Sequence, residues 1–418
     1  MPAASRNNEP ITVAESASLL ALLLAFESVA LAVSGGSDSV AMMTLVAEWA
    51  RSHPAAPRLA VLTVDHGLRP ESSVEAQRVV AWAAALGLDG HCLRWDGGKP
   101  PSGLQAAARD ARYRLMRQWC VRHGFGPIVT AHTLDDQAET LVMRLARGSG
   151  VEGLGAMPAE SREPWHVLRP FLTVPRARLR ATLAARGLPF MEDPSNRNRT
   201  FERVRTRELL AMLAEAGLSG SHIALAAARL RRANEALEHQ LREAEQALLA
   251  VAPEGSASLD RDGLMALPAE IRIRLLGRAI ARFGGRQSAP RLASLEALER
   301  WVAASEGIAR TLGGCRVVRR KARFLLGREP GRMSAEPVTL EPGRVTVWDR
   351  RFAIALTEAG RAQSFCIRPV GGLRPAPARP TSMPDFVWRS TPAILANDEP
   401  VWLFGGRAEG LSVEFITD

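Results

Sequence analysis

The chain has almost no lysine. Lys99 and Lys321 are the only two among 418 residues, and every other basic residue is arginine. With a formal net charge of +10 the balance favours a polyanionic partner. Arginine forks onto phosphate with two hydrogen bonds and stays charged at any working pH. GC-rich coding raises Arg, Ala and Gly together and accounts for part of this bias. Cysteine is also sparse. Cys92, Cys120, Cys315 and Cys366 are scattered, with no Cys-x-x-Cys pair, which excludes a disulfide framework and a cysteine metal site by spacing and fits a reduced, cytoplasmic setting. No apolar run is long enough to span a bilayer. The run Leu19 to Ala25 follows Glu9 and Glu15 and meets Glu27, so it reads as a buried helix and not as a signal segment. Internal repeats are absent.

What is present is an alternation. Apolar runs at Val29–Val33, Leu59–Val64, His91–Trp95 and Ile128–Ala131 are separated by helical patterns over 39–52, 71–86, 103–123 and 134–146. Strands and helices of this length imply βαβ units: an α/β fold with a Rossmann-like parallel sheet. Right-handed crossovers then place the strand-end loops on one edge, where ligands bind. Leu104, Ala108, Leu115 and Trp119 mark an expected buried stripe on the third helix. In the fourth, Leu134, Ala138, Leu141 and Leu145 share a face.

Downstream come two helices between 175 and 217, separated by the turn-rich Glu192-Asp193-Pro194-Ser195-Asn196, and a long polar helix from Ser221 to Leu249. Pro253-Glu254-Gly255-Ser256 reads as a boundary. Helices over 260–305 and a basic strand pair from Gly314 to Leu326 follow. From Val338 short strands are punctuated by Pro and Gly. The expected division is a catalytic domain over 1–217, a helical connector and RNA-binding domain over 218–330, and a small mixed or β-rich domain over 331–418.

Three loops carry candidate chemistry. Ser34-Gly35-Gly36-Ser37-Asp38-Ser39 follows a strand and opens a helix. Its glycines let backbone N–H groups approach an anion at a helix N-terminus, and its serines add donors. It lacks the lysine of the common NTPase loop, which argues against transfer of the terminal phosphoryl group and suits an enzyme that grips pyrophosphate. Asp38 is either a first-turn helix acid or a Mg²⁺ ligand facing polyphosphate. His132, Asp136 and Glu139 project from one side of a helix start and can hold Mg²⁺ or a substrate ammonium; capping by Thr133 or Asp135 explains part of this cluster. Arg109 and Arg112 lie off the expected stripe of their helix, and taken singly each reads as a solvated arginine.

The phosphate loop matches the signature of N-type ATP pyrophosphatases. Together with the Val64-Asp65-His66-Gly67-Leu68-Arg69-Pro70 segment, Ala108-Arg109-Asp110-Ala111-Arg112-Tyr113, the run Thr130 to Thr140, Arg144 to Gly150, Arg169-Pro170-Phe171-Leu172 and Glu192 to Asn196, it resembles the tRNA(Ile)-lysidine synthetases. Thr311-Leu312-Gly313-Gly314 leading into Arg319-Arg320 is similar to the same family.

The resemblance implies a ligase that uses ATP and Mg²⁺. ATP adenylates the C2 oxygen of the wobble cytidine in the tRNA(Ile) with a CAU anticodon, and the ε-amine of free L-lysine displaces AMP, giving lysidine. It implies ATP contacts from Ser34 to Ser39, Mg²⁺ at Asp38 and Asp136, catalytic roles for Asp38, Arg112, His132 and Asp136, and tRNA contacts by Arg205 and Arg207. The family's usual Arg-Asn-Arg-x-Arg reads Arg203-Val204-Arg205-Thr206-Arg207 here, so the asparagine's hydrogen bond is lost. No membrane association is expected, and a homodimer is common for such folds. Two rivals stand beside this reading: a tRNA thiolase of the same ATP-pyrophosphatase class, which needs a sulfur-relaying cysteine pair or a cysteine-bound cluster, and a non-catalytic RNA-binding protein.

Overall fold

The computed structural model describes residues 8–69, 71–100, 102–192, 199–304, 307–357, 364–397, 399–406 and 410–416. Pro70 and the Asp193-Pro194-Ser195-Asn196 turn named above lie outside them. Contacts divide the chain into two compact units, 1–234 and 235–418.

The first unit opens with α1 (Val13–Leu20), whose Thr12 and Glu15 form a reciprocal capping box. A short 3-10 turn over Ala21–Ala25 completes the apolar run, burying Leu20 and Leu23. Then β1 (Ser28–Ala32), α2 (Ser37–Ser52), β2 (Arg58–Asp65), α3 (Ser72–Ala85), β3 (Asp89–Arg94), α4 (Leu104–His123), β4 (Ile128–Val129) and α5 (Leu134–Ala146) alternate as expected. The short α6 (Val151–Leu154), β5 (Glu160–Ser161), β6 (Val167–Leu168), α7 (Arg176–Ala185) and α8 (Glu202–Glu215) complete the unit, with the first half of α9 (Gly220–Leu248).

The sheet order is β3-β2-β1-β4-β6-β5. β1 pairs in parallel with β2 and with β4, and only β5 runs antiparallel, on β6. The chain therefore builds outward from β1 to β3 and then returns to the other side of β1 with β4. Loops leaving β1 and β4 diverge to opposite faces, and a crevice opens between them at the strands' C-terminal ends. The continuous apolar β1, Val29 to Leu31 fully buried, fits a strand covered by helices on both faces.

Two expectations need correction here. On α4 the buried residues are Ala111, Tyr113, Met116 and Cys120, and Leu104 is 37% exposed. The stripe is rotated because Tyr113 lies flat on Trp165, with ring centroids 6.1 Å apart, while Met116 and Cys120 pack on Ile128 and Val167. The helix's many arginines and alanines leave its apolar phase weakly defined. On α5, Ala138 and Leu141 are buried but Leu145 is 59% exposed, because the helix ends one residue later.

The second unit contains a five-stranded antiparallel sheet, β7 (Leu249–Ala252), β8 (Ser256–Asp260), β9 (Ala309–Leu312), β10 (Cys315–Arg319) and β11 (Arg323–Arg328), in the order 7-8-11-10-9. Helices α10 (Arg261–Ala266), α11 (Ala269–Phe283) and α12 (Leu292–Ala303) lie between β8 and β9 in sequence, and α11 and α12 supply much of the apolar core under this sheet. Pro253 to Ser256, read above as a boundary, is instead the turn of the β7–β8 hairpin: Gly255 takes a left-handed φ of +77° and Ala252 pairs with Ser256. Two further antiparallel sheets follow. One is made of β13 (Val345–Trp348), β14 (Phe352–Leu356) and β18 (Leu411–Phe415). The other is made of β12 (Val338–Leu340), β15 (Phe365–Pro369), β16 (Pro392–Ala396) and β17 (Glu399–Leu403), with the single-turn α13 (Asp385–Trp388) before β16. The β-rich tail is as expected. No single described helix is long and apolar enough to cross a membrane.

Candidate active site

A cavity of about 1000 Å³ lies in the crevice between β1 and β4. Its floor is the phosphate loop. Gly35 takes φ +87°, a conformation that a side chain strains, and Met191 donates its N–H to the Gly35 carbonyl at 2.8 Å. Gly36 opens α2 without a side-chain cap, so the first amides of the helix are left for an anion. Ser39 bonds back within the loop, its Oγ donating to the Gly36 carbonyl at 2.9 Å and accepting the Ser34 N–H at 3.2 Å. Ser37 donates to Asp38 at 3.1 Å. Ser34, Gly36, Ser37, Asp38 and Ser39 all line the cavity, whereas Gly35 shapes the turn.

One wall is acidic and fully paired. Thr133 and Asp136 cap α5 reciprocally, with the Thr133 N–H and hydroxyl both donating to Asp136 Oδ2 at 2.8 Å. Asp136 Oδ1 is left facing arginines: Nη2 of Arg176 at 3.1 Å and Nη2 of Arg203 at 3.3 Å. Arg176 also reaches Asp38 at 2.9 Å and Glu139 at 3.3 Å. Glu139, fully buried behind the wall, further pairs with Arg203 at 3.1 Å and Arg207 at 2.7 Å. Three carboxylates thus meet three guanidiniums. Burial opposes the charge of Asp136, but Arg176 and then Arg203 outweigh it and hold the carboxyl below its ordinary range. For Asp38 burial wins and the carboxyl is raised. Arg176 is itself held firmly protonated: Asp136, Asp38 and Glu139 overcome its burial.

The same cavity is also lined by the arginines of α4, Arg109 and Arg112. Arg112 lines the cavity, buried deeply enough to push its guanidinium downward, and its charged neighbours Arg109 and Arg203 push the same way. Among the described residues it has no acidic partner; its Cζ lies 5.8 Å from the centroid of the Tyr113 ring, with Arg109 over the same ring at 5.0 Å. An uncompensated cation at a cavity wall is a receptor for anionic charge. His132 lines the cavity with its Nδ1 2.7 Å from the Thr130 hydroxyl. Burial brings its imidazole down to about 3, so it is a neutral hydrogen-bonding group and a poor proton acceptor. His66, beside Trp95, is likewise lowered by burial and by Arg112.

The expected residues therefore converge, with one exception. Arg205 donates to the Arg199 and Thr200 carbonyls at 2.9 Å and does not line the cavity. Arg207 lines it, with its Nε on Glu139 Oε1 at 2.7 Å. Arg176 was not anticipated. Its signal is positional: it occupies the first turn of α7, where the helix dipole disfavours a cation, so an acidic partner elsewhere in the fold is required. Asp135, the other aspartate of the α5 start, accepts the Arg176 N–H at 2.8 Å and secures that helix end. None of the four cysteines lines the cavity, and burial brings the Cys120 thiol up to about 11.

A lysine-free phosphate loop at the switch point of a parallel sheet, in one cavity with paired carboxylates and Arg112, defines a nucleotide-dependent enzyme of the PP-loop class, and residues 12–213 match the PP-loop domain family. Beyond that domain, the tRNA(Ile)-lysidine synthase of Rhodopseudomonas palustris is 46% identical over 70% of this chain and 85% of its own length. Those of Bradyrhizobium sp. and Ruegeria pomeroyi are 47% and 40% identical, over 67% and 77% of this chain and 81% and 75% of their own lengths. The chain belongs to the tRNA(Ile)-lysidine synthase family.

Proposed function

We propose that the protein ligates L-lysine to C2 of the wobble cytidine of the CAU-bearing tRNA(Ile), through an adenylated cytidine, releasing pyrophosphate and then AMP. The observation that carries this reading is the convergence on one cavity of the lysine-free phosphate loop, the Asp38 and Asp136 carboxylates held by Arg176, and Arg112, which has no acidic partner among the described residues. A polyphosphate seated on the amides of α2 presents its α-phosphorus toward Arg112, where charge develops as the cytidine oxygen attacks. Adenylation turns that oxygen into part of a good leaving group, and the lysine amine then displaces AMP. The cavity volume, at the upper end of the usual range for ligand sites, suits a nucleotide together with an unstacked base. The base is turned out of a single-stranded loop to enter.

Asp38 and Asp136 fit Mg²⁺, which prefers one or two carboxylates completed by substrate phosphate oxygens; both reach the same guanidinium, so their oxygens converge. Bound there, the ion would supply charge neutralisation on the triphosphate. His132, neutral and oriented by Thr130, serves as a fixed hydrogen-bonding group. The test is to combine protein, ATP, Mg²⁺, labelled lysine and a CAU tRNA(Ile) transcript. AMP release and lysine incorporation are expected to require every component; AMP release without RNA, or equal labelling of initiator tRNA, contradicts the reading.

A further inference from the structure

We infer that Arg176 is a built-in counter-ion for Asp38 and Asp136, so that these two carboxylates take a divalent cation only together with a nucleotide. This rests on the ATP-using reading of the cavity. The three contacts of its guanidinium divide by location. Two, to Asp38 Oδ2 at 2.9 Å and Asp136 Oδ1 at 3.1 Å, lie on carboxylates that line the cavity. The third, to Glu139 at 3.3 Å, anchors the side chain behind the wall, and the backbone is fixed by Asp135.

A carboxylate already paired with a guanidinium offers a metal ion little net attraction, because the ion must work against a resident positive charge a few ångströms away. Among the described residues no three acidic or imidazole groups are arranged to hold a metal by themselves. Polyphosphate supplies both the missing oxygen ligands and the negative charge that lets a second cation enter beside Arg176. Divalent-ion binding is then conditional on nucleotide, and Glu139 retains the guanidinium while Asp38 and Asp136 turn to the metal. Arg176 thus acts on the metal site and not on the reacting atoms.

The test follows Mn²⁺ binding to the full chain by the paramagnetic resonance of the free ion, with no turnover involved. Wild type alone is expected to bind Mn²⁺ weakly and to bind it tightly once β,γ-methylene ATP is added. Arg176→Met is expected to bind Mn²⁺ without nucleotide on the order of tenfold or more tighter than wild type. Arg176→Lys, which keeps the charge, is expected to remain close to wild type. Tight Mn²⁺ binding by wild type alone, or equal affinities for wild type and Arg176→Met, overturns the inference; the wild-type arm decides if the methionine variant does not fold. Nucleotide binding measured in parallel by thermal shift separates the two levels, since its absence sinks the ATP reading itself.

Discussion

Nε of Arg176 lies 2.9 Å from Oδ2 of Asp38, although 138 residues separate them. That contact joins the start of α7 to the phosphate loop, and through Asp136 and Glu139 the same guanidinium joins both to α5. Three elements of the sheet edge are thereby held in register by charge. Measurable consequences arise from this arrangement and from Arg112, which lines the same cavity.

Arg112→Met is expected to lower the rate of tRNA-dependent AMP release by roughly 10²–10³, the usual cost of losing one donor to a developing oxyanion. The melting temperature is expected to hold or rise, because a half-buried cation with no acidic partner among the described residues is removed. A rate loss accompanied by a large drop in stability contradicts the electrostatic role.

Glu139→Gln acts the other way. Its carboxylate meets Arg176, Arg203 and Arg207 while fully buried, and breaking a buried pair on one side costs about 3–5 kcal/mol. Thermal or urea unfolding is expected to show a loss of that order. A variant as stable as wild type contradicts the ion-pair geometry.

Gly35→Ala is expected to raise KM for ATP and destabilise the chain by about 1–2 kcal/mol, the range for a side chain held at positive φ. An added Cβ also meets the flexible end of Met191. Because backbone strain dominates, Met191→Ala in the same chain is not expected to restore ATP binding. Full rescue by that second change shows that contact and not conformation matters.

His132 sets a pH dependence. Its imidazole protonates near the ordinary 6.5 when unfolded but only at about 3 when folded. Protons therefore favour the unfolded chain between those values, and the stabilisation present above pH 6.5 is lost as pH falls toward 3. Relative to His132→Gln, wild type is expected to lose more stability between pH 7 and pH 4, measured by urea midpoints. Parallel curves for the two proteins contradict burial of a neutral imidazole.

Much of this site was legible from residue order. The phosphate loop, the His132 to Glu139 helix start and Arg112 could be placed because strand–turn–helix junctions declare themselves by local spacing, and the 3-2-1-4 strand order then brings two of those junctions together. Arg176 escaped because its partners lie 37 to 138 residues away and only a misfit with its own helix end hints at them. Arg205 stands outside the cavity lining, and its hydrogen bonds to the Arg199 and Thr200 carbonyls appear only in three dimensions. The α4 stripe shifted phase because aromatic stacking of Tyr113 on Trp165 outweighed a weak leucine pattern. At Pro253 to Ser256 the same Pro, Gly and Ser residues serve a linker or a hairpin turn, and only strand pairing distinguishes them.

Replacing all four cysteines by serine offers a further check on the chemistry. Lysine incorporation is expected to persist, with some loss of stability from the buried Cys120 and Cys315. Abolished modification with an intact fold supports sulfur transfer instead.

The most direct measurement is the identity of the wobble nucleoside after reaction. A CAU tRNA(Ile) transcript treated with the protein, ATP, Mg²⁺ and lysine is digested, and its nucleosides are resolved by mass spectrometry. The expected result is lysidine in place of the anticodon cytidine, dependent on ATP and lysine and absent with initiator tRNA. An unchanged wobble cytidine despite AMP release, or a thiolated base, contradicts it.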